Sequence, residues 1–402
     1  MISDIPVSAV SLGAFPAFEI GGVRLPAIAY TSYLPTARLY RQIAGAGIRL
    51  FCFPAYLGDR GINIHSGIGP FRKGIWRDEQ GFDYSDIETD LEKLLSGCPD
   101  ALVIMRLHMD IPSWWERAHP EGCCILNDGS TLRQCFASEA WQQATENALR
   151  NILRWLIASP FASHLVGIHL AAGQTEEWFY HYRGMYEDTN PHRTRAFRAW
   201  LRQQYCDLPA LRTAWNSPEA DWNTATPADI GNPATDGGWR DPKRDAWILD
   251  TFRFQAETIT NAITRFCRAV KEESDGRLLT GAFYGYHSFV ADPRGGHGAL
   301  GRLLQSPHLD YLASPNCYDR SPGEDWAPMA AIDSVRLHGK LWMAEHDTRT
   351  SCATLLKDKA PAICPAGEYE TGVWLGPDSL TTSAMLLRNN AARMLTHSYG
   401  GW

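Results

Sequence analysis

Short apolar runs alternate with longer amphipathic stretches along this 402-residue chain, and that alternation restricts its fold more than any other feature. Eight runs read as strands: 27–33, 49–54, 101–108, 164–172, 277–284, 309–315, 340–344 and, at the end, 397–402. Most are near-continuously apolar, the pattern of strands covered on both faces in a parallel sheet. Between them, 36–44, 84–96, 139–158, 246–273, 297–305, 329–337 and 381–396 carry apolar residues at helical spacing. Strand and helix in strict alternation imply a parallel α/β fold, and eight strands separated by seven helices imply a (β/α)8 TIM barrel. The stretches after strands two, three and four are long, so enlarged loops are expected there, on one face of the barrel. Helix 194–205 and an insertion at 208–241 holding Trp215, Trp222 and Trp239 fall after strand four. Residues 1–26, with Gly21-Gly22 and several prolines, read as loop. No internal repeat or low-complexity linker divides the chain, so residues 1–402 are expected to form one barrel with its closing strand near 397–402.

Composition narrows the partners. The formal net charge is -7 and no long basic run occurs, which argues against nucleic acid and anionic membrane. No apolar stretch reaches the roughly 18 residues of a membrane-spanning helix. Met1 to Ile20 carries Asp4 and Glu19 and no basic start, so it does not read as a secretory signal. The 10 cysteines are scattered without a C-x-x-C pair, and Cys52, Cys267 and Cys317 lie in apolar surroundings. That usage fits reduced thiols in a cytoplasmic protein. The 15 Trp are many for such a chain. Indoles stack on the flat C–H faces of sugars, and large cores also use them.

Chemistry concentrates at two strand ends. Strand 340–344 runs straight into Glu345, His346, Asp347 and Arg349. In a β/α barrel the C-terminal strand ends carry the reacting groups. A loop-closing ion pair between Glu345 and Arg349 would also fit. After strand four comes Gly173-Gln-Thr-Glu-Glu-Trp178. Glu176 and Glu177 could equally begin a helix capped by Thr175, where carboxylates favour the dipole. Taken together, the two acidic sites would face each other across a barrel mouth.

The pattern resembles the clan A glycoside hydrolases, which carry glutamates at the ends of strands four and seven. Phe197-x-x-Trp-Leu-x-x-x-Tyr205 followed by Leu211-x-x-Ala-Trp215 resembles the family 42 β-galactosidases over roughly residues 27–402. The resemblance implies a retaining glycoside hydrolase acting on β-linked mono- or oligosaccharide glycosides. No cofactor or metal is expected, and the cysteine metal cluster of some family 42 enzymes is not matched. It makes Glu177 the acid/base, Glu345 the nucleophile, Trp402 the floor of a sugar subsite and Tyr318 a hydrogen-bond partner of the nucleophile. Glu176 stands where the clan has Asn, so either glutamate could be the acid/base; Glu177 is favoured because it directly precedes Trp178. Further candidates for substrate contact are Trp178, Asn316, Arg106, His108, Tyr284 and Arg349, with Arg320, Tyr286 and His287 beside them. Trp114 and Trp115 could form a distal sugar platform or pack a loop.

Two carboxyl groups suit this chemistry because one must be protonated to donate to the leaving oxygen while the other attacks the anomeric carbon. Two other readings remain. A metal-dependent barrel hydrolase could use His108, His169, His287 and His346, although no H-x-H or H-E-x-x-H spacing supports it. A non-catalytic carbohydrate-binding barrel would keep the sugar contacts alone. Homo-oligomerisation is left open.

Overall fold

The computed structural model describes residues 1–60, 67–180, 188–229, 240–287, 292–318, 320, 322–324 and 326–402. Its main sheet has eight parallel strands: β4 (Ala29–Thr31), β5 (Leu50–Tyr56), β6 (Leu102–His108), β9 (Leu165–Ala171), β10 (Leu279–Phe283), β11 (Tyr311–Pro315), β12 (Leu341–Glu345) and β13 (Gly400–Gly401). They follow one another in that order, each hydrogen-bonded to the next. A parallel bridge between Ile28 and Gly401, with the Gly401 amide donating to the Ala27 carbonyl at 2.9 Å, joins the last strand to the first. The architecture is therefore the (β/α)8 barrel that the alternation implied.

Side-chain direction sorts the residues of each strand into two cores. Cys52, Ile104, Val166, Leu279, Tyr311, Leu341 and Met343 form the cluster inside the barrel. Phe51, Phe53, Val103, Met105, Ile168 and Trp342 belong to the cluster between sheet and helices. Successive residues of a strand point to opposite faces, so a strand buried on both sides must be apolar at nearly every position. The outer helices include Ala37–Gly45, Ser85–Gly97, Glu139–Ala158, Ala246–Glu273 and Leu380–His397. Helix Glu139–Ala158 starts where the Ser138 hydroxyl accepts the Trp141 amide. It lies beside Ala246–Glu273, clasped by Arg265 on Glu146 at 2.6 Å and Arg150 on Glu273 at 3.1 Å.

The N-terminal residues depart from the loop expected of them. They form an antiparallel sheet of β1 (Ser8–Leu12), β2 (Pro16–Ile20) and β3 (Val23–Pro26). Gly21 and Gly22, at φ +57° and +81°, make the tight turn that joins the last two of these strands. Phe18 and Ile20 enter the interior cluster beside Leu50, Leu279 and Leu341, which begin their strands. The sheet therefore closes the end of the barrel opposite the strand C-termini. A smaller hairpin, β7 (Cys123–Ile125) with β8 (Thr131–Gln134), lies within the loop after the third barrel strand. The block around Phe197 to Trp215 forms helices Pro191–Gln204 and Leu208–Ala214. Phe197, Trp200, Leu201 and Leu211 make a separate apolar cluster with Phe254, and Tyr205 and Trp215 both hydrogen-bond Asp250. Trp239 lies outside the described residues.

Candidate active site

The backbone after β9 does not begin a helix. Thr175, Glu176 and Trp178 have φ of +54°, +71° and +60°, and Gly173 has +74°. A Cβ on Gly173 would lie 2.6 Å from the Phe179 carbonyl, so only glycine allows this close approach. The Trp178 amide donates back to the Ala172 carbonyl at 2.7 Å. This tight reversal sends the side chains of Glu176 and Glu177 into different surroundings.

Glu176 is buried and ion-pairs with Arg106, near the end of β6. The same guanidinium donates to Glu345 Oε1 at 2.6 Å from its other terminal nitrogen. Arg106 is itself buried, over the Phe283 ring at 4.6 Å and the Tyr33 ring at 5.5 Å. Burial works against its charge, yet Glu176 and Glu345 outweigh burial and hold its pKa well above the ordinary value. Tyr33 donates to Glu176 Oε2 at 3.3 Å, and the Trp402 indole donates to Glu345 Oε1 at 3.4 Å. Both donors to Glu345 therefore converge on Oε1, and among the described residues none bonds Oε2. The guanidinium that faces Glu345 is Arg106. Arg349 instead donates to the Asp347 carbonyl and lies 5.4 Å from the centre of the Trp374 ring, so the loop-closing pair is not formed.

Glu177 faces the mouth without a cation bonded to it. Its carboxyl accepts Tyr286 Oη–H at 2.8 Å on Oε1 and the Thr175 hydroxyl on Oε2. Burial, with Glu345 nearby adding to it, pushes Glu177 up to about 8 against the hydrogen bonds of Thr175 and Tyr286. Behind it His297 Nε2 donates to the Glu177 carbonyl at 2.8 Å and Nδ1 accepts the Tyr286 amide at 3.4 Å. Burial pushes His297 down to about 3, so the ring is neutral and the two contacts fix one tautomer.

The other expected residues divide. Trp402 and Arg106 reach Glu345. Tyr318 is 45% exposed with Arg320 stacked 4.5 Å from its ring, and among the described residues it makes no hydrogen bond to Glu345. Asn316 is buried and bonds His346 Nδ1 at 2.9 Å, while Arg320 ion-pairs Asp347 at 2.5 Å. His108 is buried against Tyr56 and 3.7 Å from Asp110. Two expectations are corrected. Trp178 is wholly buried between Phe136 and Phe266 with its indole nitrogen on the Leu170 carbonyl, so it offers no face to a sugar. Tyr284 is wholly buried with its hydroxyl on the Gly296 carbonyl; the tyrosine that reaches the site is Tyr286, two residues on. Trp115 is buried and Trp114 donates to the Trp76 carbonyl, so this pair packs its loop. Tyr33 and Thr175 also line the candidate site, and the sequence carries no signal for them because a lone hydroxyl near a strand end has no spacing to read.

The four histidines of the metal reading do not gather. His169 lies inside the barrel against Tyr311, and His346 is taken by Asn316. Among the described residues the one group with metal-ligand spacing is Cys124, Cys135 and Asp188, all buried. The Asp188 carboxylate already accepts Tyr180 Oη–H at 2.7 Å and the amides of Ile125 and Asn190. Burial holds both thiols protonated. This group ties loops together. Among the described residues, no helix is long and apolar enough to cross a membrane.

Residues 81–295 match the sequence model of glycoside hydrolase family 42, described as beta-galactosidase. No curated protein sequence matches the chain. Among solved structures, the beta-galactosidase of Bacillus circulans sp. alkalophilus is similar at 17% identity and TM-score 0.54, over 81% of this chain and 44% of that one. The beta-galactosidase of the haloarchaeon Halorubrum lacusprofundi gives 17% identity and TM-score 0.52, over 77% and 42%. The catalytic domain of the Paenibacillus polymyxa beta-amylase gives 12% identity and TM-score 0.64, over 93% and 90%. At these identities the likeness is one of fold. The chain spans less than half the length of the two beta-galactosidases.

Proposed function

The chain belongs to glycoside hydrolase family 42, and from that premise we propose that it hydrolyses β-linked glycosides, β-galactosides first among them, with retention at the anomeric carbon. The observation that carries the reading is the division of labour imposed by Arg106. It binds Glu345 and Glu176 together, while Glu177, with no cation bonded to it, is raised to about 8 at the mouth; burial raises Glu176 as well, against its pair with Arg106. A protonated acid facing a second carboxyl that a guanidinium holds is the arrangement a retaining glycosidase needs.

The steps follow from the bonds. Glu345 Oε2, opposite the two donors on Oε1, attacks the anomeric carbon. Glu177 passes its proton to the leaving oxygen as the glycosidic bond breaks. The glycosyl ester on Glu345 is then cleaved by a water whose proton returns to Glu177. Tyr286 and Thr175 hold Glu177 in place, and Arg106 and Trp402 hold Glu345. Glu176 neutralises Arg106 and is a positioning residue. The 10 free thiols fit a reducing compartment.

Glu345→Gln is expected to lower kcat on nitrophenyl β-glycosides by about 10⁴-fold or more. Initial rates of the purified variant beside wild type check this, and unchanged turnover would remove Glu345 from the mechanism. A barrel that binds sugar without cleaving any aryl β-glycoside would support the binding-module reading instead.

A further inference from the structure

The segment after β12, residues 346–379, reaches far from the strand that carries Glu345. The Gly69 amide donates to the Ile363 carbonyl at 2.9 Å, so this segment meets the loop that follows β5. Its two arms are locked together. A Cβ on Gly376 would lie 2.0 Å from the Thr350 carbonyl, and the Ser351 amide donates to the Ser383 hydroxyl at 2.9 Å. Between the arms lies a cavity of about 490 Å³, lined among others by Thr350, Ser351, Thr354, Asp358, Trp374 and Asp378. Trp374 is 38% exposed and stands beside exposed Val373 and Leu375. Tyr369 meets its ring edge-on at 4.8 Å.

We propose that this cavity is a second carbohydrate subsite, taking a neutral sugar of the leaving-group side of an oligosaccharide. The size falls in the range of small-molecule sites, roughly 300–1,000 Å³. An exposed indole beside hydroxyls and carboxylates matches a sugar unit, whose C–H face is apolar and whose hydroxyls need acceptors. Asp358 and Asp378 line the cavity and Arg349 lies over the Trp374 ring at 5.4 Å, so two carboxylates against one guanidinium disfavour an anionic ligand such as a phosphate or uronate. The position fits as well. Thr350 follows Glu345 by five residues of chain, which can span at most about 18 Å. The cavity belongs to a loop after a strand C-terminus, hence to the face that bears the two carboxylates.

The inference rests on the glycosidase reading, and its test separates the two. Neutral galacto-, gluco- and xylo-oligosaccharides are titrated by calorimetry into the full chain carrying Glu345→Gln, whose turnover is too slow to disturb the titration. At least one is expected to bind more tightly than its monosaccharide, and adding Trp374→Ala is expected to weaken it about tenfold, near the worth of one aromatic contact. Asp378→Asn is the second variant, weakening the same ligand without disturbing the indole. In the catalytically intact chain, Trp374→Ala should lower kcat/KM for that oligosaccharide about tenfold more than for the nitrophenyl monosaccharide, through KM. The inference is overturned if no oligosaccharide binds better than its monosaccharide, or if neither variant weakens binding. Binding that depends on Trp374, in a protein that cleaves no aryl glycoside, would leave the subsite standing and remove the hydrolase reading.

Discussion

Glu176 and Glu177 are covalent neighbours with different partners. The left-handed backbone at Thr175, Glu176 and Trp178 turns one toward Arg106 and the other toward Tyr286. A carboxyl raised to about 8 has consequences for both rate and stability. In its proposed role as general acid it must be protonated, so kcat/KM on an aryl β-glycoside should fall as pH rises through about 8, and Glu177→Gln should lose that limb. For stability, the folded chain keeps a proton that the unfolded chain gives up near its usual 4.5. Its ionisation therefore adds no cost to folding below that pH, and the added cost grows up to about 8. Glu177→Gln, always neutral, is expected to melt roughly 3 °C or more above wild type at pH 8 to 9, with the gap closing toward pH 4.5. Thermal unfolding across pH checks this; a gap independent of pH would mean that Glu177 is not held protonated.

Element by element, period and burial explain what could be read. Helices 139–158 and 246–273 have the observed ends, since each is long and strongly amphipathic. The barrel strands were legible because most of them are largely apolar on both faces. The first three strands were not. Prolines at both ends of the stretch masked a half-buried alternation that becomes apolar burial only when Phe18 and Ile20 meet the barrel. Close fits between strands were equally invisible. A Cβ on Gly281 would lie 2.0 Å from Tyr311 Cζ on the neighbouring strand β11. Gly281→Ala is therefore expected to destabilise by about 3 kcal/mol, because Tyr311 is wholly buried and cannot move aside. Urea unfolding measures this, and a loss well under 1 kcal/mol would show that the interior yields there.

At the scale of the whole molecule, one end of the cylinder is sealed and the other is left to the loops. The N-terminal sheet seals it, with Phe18 edge-on to Tyr311 at 6.3 Å. Phe18→Ala is expected to cost about 4 kcal/mol, since it opens a void at the centre of the interior cluster. Chemical denaturation would show it, and a stability equal to wild type would mean that the sheet is an ornament on the barrel.

Residue order alone carried the eight-strand alternation, the barrel, and the two acidic strand ends, because hydrophobic period and charge are properties of neighbours along the chain. It could not say which glutamate pairs with the guanidinium, that Arg106 rather than Arg349 faces Glu345, or that Trp178 and Tyr284 turn inward while Tyr286 reaches the candidate site. Those depend on contacts between residues as far apart as Arg106 and Glu345, and on burial that exists only once the cylinder closes. A pKa near 8 at Glu177 is made by the protein around it, and no sequence pattern encodes that surrounding.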